Sequence, residues 1–197
     1  MEISSGVILG LIQGITEFLP VSSSGHLVLV HSLLGGKEGT DLAFDAVLQL
    51  ATVCAVIVYF FEDIYVLLQT LMRKLGRLPV HEKEMVLVKA LLLGTIPGVV
   101  LGLFLEDLME SAFREPLLVA LVLVLGSALF IYAEYTYDNC YHDRELTPKI
   151  GWKVGLFQCL ALIPGFSRSG ATLAGGMILG LSRYEAARFA FLLSIPI

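Results

Sequence analysis

This chain has little charge. Asp, Glu, Lys and Arg make up 16% of its 197 residues against 56% hydrophobic residues, and the mean hydropathy is +0.82. These values lie outside the range of ordinary soluble domains. None of the four charged types occurs in residues 18–36, 46–61, 90–105 or 116–133. A soluble helical protein would show a charged stripe at each turn. Each charge-free stretch instead has, or nearly has, the length of a helix crossing the roughly 30 Å hydrocarbon core. A polytopic α-helical membrane protein is expected.

Cysteine is scarce as well. Cys54, Cys140 and Cys159 show no CxxC spacing, and two of them sit in apolar runs. That excludes a disulfide framework and a cysteine zinc site. Basic residues number 13 against 18 acidic ones, for a net charge of −5, so no basic face is available for nucleic acid. The N-terminus has Glu2 and no basic segment before its apolar run, which is not the pattern of a cleavable signal peptide. One membrane domain is expected over residues 1–197, with the last apolar run, FAFLLSIPI, cut short at its C-terminal end.

Continuous crossings are expected at residues 45–61, 85–105 and 117–132. The connector 62–89 carries Arg73, Lys74, Arg77, Lys83 and Lys89, whereas 106–115 holds four acids against Arg114. The connector 134–153 is basic again, with Arg144, Lys149 and Lys153. The positive-inside rule makes the first and third cytoplasmic and the second exterior. Ten of the thirteen basic residues then fall inside, Lys37 and Arg114 outside, and Arg168 in the membrane.

The chain also repeats itself. GLIQGITEFLPVSSSG (residues 10–25) aligns with GLFQCLALIPGFSRSG (residues 155–170) at an offset of 145, with six of sixteen positions identical. In both copies an apolar helix runs into Pro, then a Ser/Gly-rich turn, then a second apolar stretch. Such a break is tolerated at membrane depth only against protein or a wet cavity. Two re-entrant helical hairpins are therefore predicted, at residues 1–36 and 152–182. Counting from the basic connectors, the first opens to the exterior and the second to the cytoplasm. This is the inverted-topology repeat of proteins whose sites lie near the midplane.

The polar residues of these tips form the candidate site. Arg168 in PGFSRSG is a cation at membrane depth, costing roughly 2.5–3.5 kcal/mol on insertion scales. Beside Ser167, Ser169 and Gly170 at a helix start, it suggests a fork for an oxyanion. Pairing with Glu17 is the plainer alternative. In the first copy Ser22, Ser23, Ser24 and Gly25 supply hydroxyls and free amides, of which N-capping accounts for one. His26 follows within a turn of Ser23. Gln13 and Glu17 are four apart and share a helix face. Glu17 suits acid/base work or holding a divalent cation. The offset sets Leu162 opposite Glu17 and Ala171 opposite His26, so one tip brings acid/base groups and the other an arginine. Together they point to a buried phosphate-handling site.

QGITEFLPVSSSGH and IPGFSRSGAT closely resemble the two signature motifs of the undecaprenyl-diphosphatase family, also called bacitracin-resistance proteins. The resemblance, which includes TIPGVVLGLF (residues 95–104), extends over essentially the whole chain. It implies a plasma-membrane enzyme, with its active site facing the exterior or periplasm. The implied reaction hydrolyses undecaprenyl diphosphate to the monophosphate and inorganic phosphate with a divalent metal, Mg²⁺ or Ca²⁺, recycling the lipid carrier for cell-wall polymers. The implied catalytic residues are Glu17, Ser23, His26 and Arg168, with substrate contacts from Gln13, Ser22, Ser24, Gly25, Ser167, Ser169, Gly170 and Thr172. The family often has Glu where this chain has Gln13. A metal-holding Glu17 with His26 carrying the proton is the favoured division of labour, and Ser23 is either nucleophile or phosphate ligand. A homodimer is left open. The rival class is a polyprenyl-phosphate flippase or anion transporter, for which an arginine tip between inverted repeats would serve equally well.

Overall fold

A computed structural model describes residues 3–34, 42–112, 116–139 and 144–196. Lys37, Arg114, Cys140 and Ile197 lie outside these residues. Among the described residues all regular structure is helical, as the composition predicts. The order is α1 (Ile3–Thr16), α2 (Ser23–Leu34), α3 (Leu42–Tyr59), α4 (Phe61–Leu75), α5 (Glu82–Ala112), α6 (Pro116–Asn139), α7 (Pro148–Gln158), a 3₁₀ turn (Cys159–Leu162), α8 (Arg168–Ile178) and α9 (Arg183–Leu193).

Two single helices among the described residues are long and apolar enough to cross a membrane, at Glu82–Leu105 and Leu117–Asp138. They contain the predicted crossings 85–105 and 117–132. Leu117, Leu121, Val124 and Ile131 of α6 are exposed; such a surface is stable against lipid and not against water.

The remaining expected crossing, 45–61, falls on α3; at its end the chain bends at Phe60 and continues as a second helix, the axis turning by 74° between Ala43–Tyr59 and Phe61–Leu75. Part of the expected connector 62–89 is thus α4. Glu62 and Asp63 lie in its first turn and Arg73 and Lys74 in its last, the signs that complement a helix dipole. Arg77, at φ 57°, ends it in the left-handed conformation, with Leu78 N–H returning to the Arg73 carbonyl at 2.8 Å. Arg188 on α9 donates to Asp63 through both Nε (3.2 Å) and Nη2, tying the outer helix to the core.

The centre of the fold is the crossing of α5 and α7, and it is made of small residues. A Cβ on Gly155 would lie 2.2 Å from the Gly94 carbonyl oxygen, and one on Gly151 would lie 2.5 Å from that of Ala90. The two backbones touch, which is how membrane helices gain packing without a hydrophobic driving force. Around this contact Ala90, Val154, Phe189 and Leu193 form one buried cluster. Ala133, Ala174, Met177, Leu181 and Ala186 form another, between α6, α8 and α9.

α1, α2, α7 and α8 have 14, 12, 11 and 11 residues. At 1.5 Å per residue each is about 16–21 Å long, too short to cross the bilayer. They form two packed pairs, α1 with α2 and α7 with α8, and both α2 and α8 lean on α6. The helix–break–helix pattern of the repeat is therefore present in both copies.

Candidate phosphate site between two helix breaks

The two breaks are built alike. Ser22 Oγ accepts from Gly25 N–H at 3.2 Å, and Ser167 Oγ accepts from Gly170 N–H at 3.0 Å. Each serine thus caps the second helix of its pair. The capping hydroxyl lies 3.4 Å from Ser24 Oγ in the first copy and 3.2 Å from Ser169 Oγ in the second. The breaks also touch reciprocally. A Cβ on Gly25 would meet Gly165 Cα at 3.4 Å, and one on Gly170 would meet the Pro20 carbonyl oxygen at 3.1 Å. Pro20 and Gly165 occupy equivalent repeat positions, as do Gly25 and Gly170. Position i of one copy contacts position j of the other, and j contacts i. That is the signature of a two-fold relation between the tips.

The chain bends differently at the two tips. In the second, Gly165 takes φ +95° with the Val119 carbonyl oxygen 2.7 Å from where a Cβ would stand, so only glycine fits. In the first, Ser22 takes φ 65°, a costly conformation for a side-chain-bearing residue and one that clusters at functional sites.

The polar side chains join across the tips. Arg168 Nη2 donates to Glu17 Oε1 at 3.3 Å. Glu17 Oε2 accepts from Gln13 Nε2 at 3.0 Å and from the Ser23 hydroxyl. Gln13 Nε2 also reaches Thr52 Oγ1 on α3 at 3.4 Å. Arg168 and Glu17 are both only partly exposed, at 31% and 19%. The ion pair expected as the plainer alternative is thus real. It is also the link that sets Ser23 beside the arginine.

A cavity of about 230 Å³ opens on this junction. Ser22, Ser23 and Ser24 line it from one copy, and Gln158, Ser167 and Arg168 from the other. Gln49 of α3, Gly98 of α5 (next to Pro97), and Ala161, Leu162 and Phe166 line the rest of the wall.

The remaining expected residues stand behind the wall. Glu17 reaches the cavity through Ser23 and Arg168, and Gln13 stands behind Glu17. Gly25 and Gly170 sit at the close approach of the tips. Ser169 points its hydroxyl toward the Leu19 carbonyl at 3.5 Å. Thr172 is fully buried, and its hydroxyl donates to the Arg168 carbonyl at 2.8 Å and the Ser169 carbonyl at 3.2 Å. His26 Nδ1 lies 2.8 Å from the Ser22 carbonyl oxygen. A carbonyl only accepts, so Nδ1 carries a proton, and this bond fixes the orientation of the ring.

Gln158, Gln49 and Gly98 were not among the residues expected from sequence. A signal for Gln158 existed, because it is one of the six identities of the repeat. No pattern marked the other two. Among the described residues there is no cluster of three or more His, Cys, Asp or Glu side chains able to hold a metal.

Two short helix pairs, broken at Ser/Gly turns and joined by Arg168 and Glu17, make up a site that the fold repeats and the chemistry does not. Over residues 6–197 the chain matches the family model of the bacitracin resistance protein BacA, and it belongs to that family of multi-pass membrane proteins.

Proposed function

We propose that this protein hydrolyses undecaprenyl diphosphate, or a related polyprenyl diphosphate, to the monophosphate and inorganic phosphate. In this reading the headgroup enters the cavity between the tips from the exterior face of the plasma membrane, and the reaction returns the carrier lipid to cell-wall synthesis. Membership of the BacA family supports the general activity. The observation that carries the specific reading is the chain Arg168–Glu17–Ser23, which joins a cation, a carboxylate and a cavity-lining hydroxyl across the tips.

Each group has a part. Ser23 donates its hydroxyl to Glu17, a nucleophile within reach of a base. Its oxygen attacks the terminal phosphorus as its proton passes to Glu17. The bond from that phosphorus to the bridging oxygen breaks, and the lipid monophosphate leaves with the electron pair. Water then cleaves the phosphoserine, its proton passing through His26 Nε2 to solvent, and inorganic phosphate departs as Glu17 returns the proton to Ser23. Arg168, Ser22, Ser24 and Ser167, together with the N-terminal amides of α2 and α8, face the charge on the phosphoryl oxygens.

A divalent cation fits here as a companion of the substrate. Glu17 and the amide oxygen of Gln13, which is buried and has no partner among the described residues, would hold Mg²⁺ or Ca²⁺ together with diphosphate oxygens. Mg²⁺ is commonly held by one or two carboxylates plus substrate phosphates, and Glu17 would be the carboxylate. The cation would neutralise phosphate charge.

The deciding experiment incubates purified protein with a polyprenyl diphosphate and measures released phosphate, with and without EDTA. Release by the wild type and its loss in Ser23→Ala support the reading. Lipid movement across vesicles with no phosphate release would replace it with transport.

A further inference from the structure

Gln158 is 3% exposed, and neither its Nε2 nor its Oε1 has a hydrogen-bond partner among the described residues. A buried amide left unsatisfied costs roughly 1–3 kcal/mol per group. Leaving both ends unmet is therefore a large penalty at one residue, and this residue lines the cavity beside Arg168.

The internal repeat explains why the amide is unmet. Gln158 is the counterpart of Gln13 at the offset of 145. Gln13 spends its Nε2 on Glu17, four residues along the same helix face. Four residues after Gln158 the chain has Leu162, which accepts no hydrogen bond and lines the same cavity. The second copy keeps the amide and drops its partner. Packing gives no reason for that choice, since leucine or methionine would fill the space without an unmet polar group.

We propose that Gln158 is a phosphate-contacting residue, supplied by the second repeat, that binds the diphosphate headgroup. Its Nε2 donates to a phosphoryl oxygen. Its Oε1 accepts from a phosphate hydroxyl or from a water hydrating the headgroup. An amide here adds a donor beside Arg168 without adding charge, so Glu17 remains paired while the anion is held. The proposal rests on the phosphate-handling reading above and adds to it a ligand from outside both signature motifs.

The test uses detergent-purified full-length protein and two variants, Gln158→Leu and Gln158→Glu. The thermal midpoint is read with and without inorganic pyrophosphate, and hydrolysis of a polyprenyl diphosphate is read alongside. Without ligand, Gln158→Leu should melt at or above the wild-type temperature, because two unmet polar groups are gone. Its stabilisation by pyrophosphate should fall to a small fraction of the wild-type shift, and kcat/KM should drop about 10- to 100-fold, the equivalent of one or two lost hydrogen bonds to a charged group. Gln158→Glu, which sets a carboxylate against the anion, should bind pyrophosphate no better than Gln158→Leu.

Three results would overturn the proposal: a wild-type pyrophosphate shift in Gln158→Leu, a lower ligand-free midpoint in that variant, or a wild type that pyrophosphate does not stabilise. A wild type stabilised by pyrophosphate through Gln158 but unable to hydrolyse the lipid diphosphate would uphold this inference and overturn the hydrolase reading.

Discussion

Replacing Arg168 by lysine keeps the charge and removes the fork, so it isolates what the guanidinium does. In the resting structure Nη2 lies 3.3 Å from Glu17 Oε1, and the side chain also borders the cavity. One guanidinium can therefore hold the carboxylate with one nitrogen and face the phosphoryl group with another. A lysine ammonium is a single point on a stem one bond shorter, and it cannot do both. The loss is one donor aimed at a developing oxyanion, worth about 2.7–4 kcal/mol. At 1.36 kcal/mol per decade this is a fall of roughly 10²- to 10³-fold in kcat. Arg168→Ala should lose more, because Glu17 is then left half-buried with no cation. The assay is steady-state phosphate release from a polyprenyl diphosphate in detergent, with gel-filtration profile and thermal midpoint as controls for folding. A lysine variant within about threefold of wild-type kcat, or one rescued fully by more substrate, would refute the fork and leave only a charge requirement.

Three further outcomes are expected. Glu17→Gln should lower kcat at every Mg²⁺ or Ca²⁺ concentration if Glu17 acts chiefly on Ser23; a shift only in the metal midpoint, with kcat restored at saturation, would return it to metal holding. Gly155→Ala, whose new methyl would fall 2.2 Å from the Gly94 oxygen, should cost at least 1–3 kcal/mol of overpacking and lower the melting midpoint by several degrees; an unchanged midpoint would mean that the α5–α7 crossing is looser than described. Cysteines placed at Gly76 and Pro148 should label only from the cytoplasmic side and one at Ser111 only from outside; labelling of 76 and 111 from one side would break the inverted arrangement.

Much of this was legible in the chain because membrane burial is written in what is missing. The empty stretches 90–105 and 116–133 located α5 and α6. The repeat located both helix breaks, since Ser22 and Ser167 cap their helices in the same way. The resumption of helix beyond Phe60 left no mark, because residues 46–61 are free of charge and no Pro or Gly flags the bend. α4 passed for a connector because an amphipathic helix at the membrane edge carries the same charges as a loop. In the site, Arg168 and Glu17 stood out as charges in apolar surroundings. Gln158 did not, for it is neutral, and its meaning lies in the hydrogen bonds it lacks. Gln49 and Gly98 reach the cavity only through the packing of α3 and α5, which no local pattern encodes.

The divergence of the two tips has an electrostatic cause. Their frames are interchangeable: a capping serine, a glycine at the crossing and a glutamine on the preceding helix occur in both. Side chains placed at one crossing meet each other across a short distance in poorly hydrated surroundings. By the reciprocal contact of the tips, two copies of the first would set Glu17 opposite a serine, and two copies of the second would set Arg168 opposite a leucine. Either charge would then stand poorly hydrated without a counter-charge, which is costly. One copy of each supplies the pair, and Arg168 and Glu17 meet at 3.3 Å. Once one tip holds the cation, its partner position need not be acidic, and there Leu162 stands in place of Glu17. The cavity then has a cation on one side and a carboxylate-bonded hydroxyl on the other, within a frame that is two-fold in shape alone.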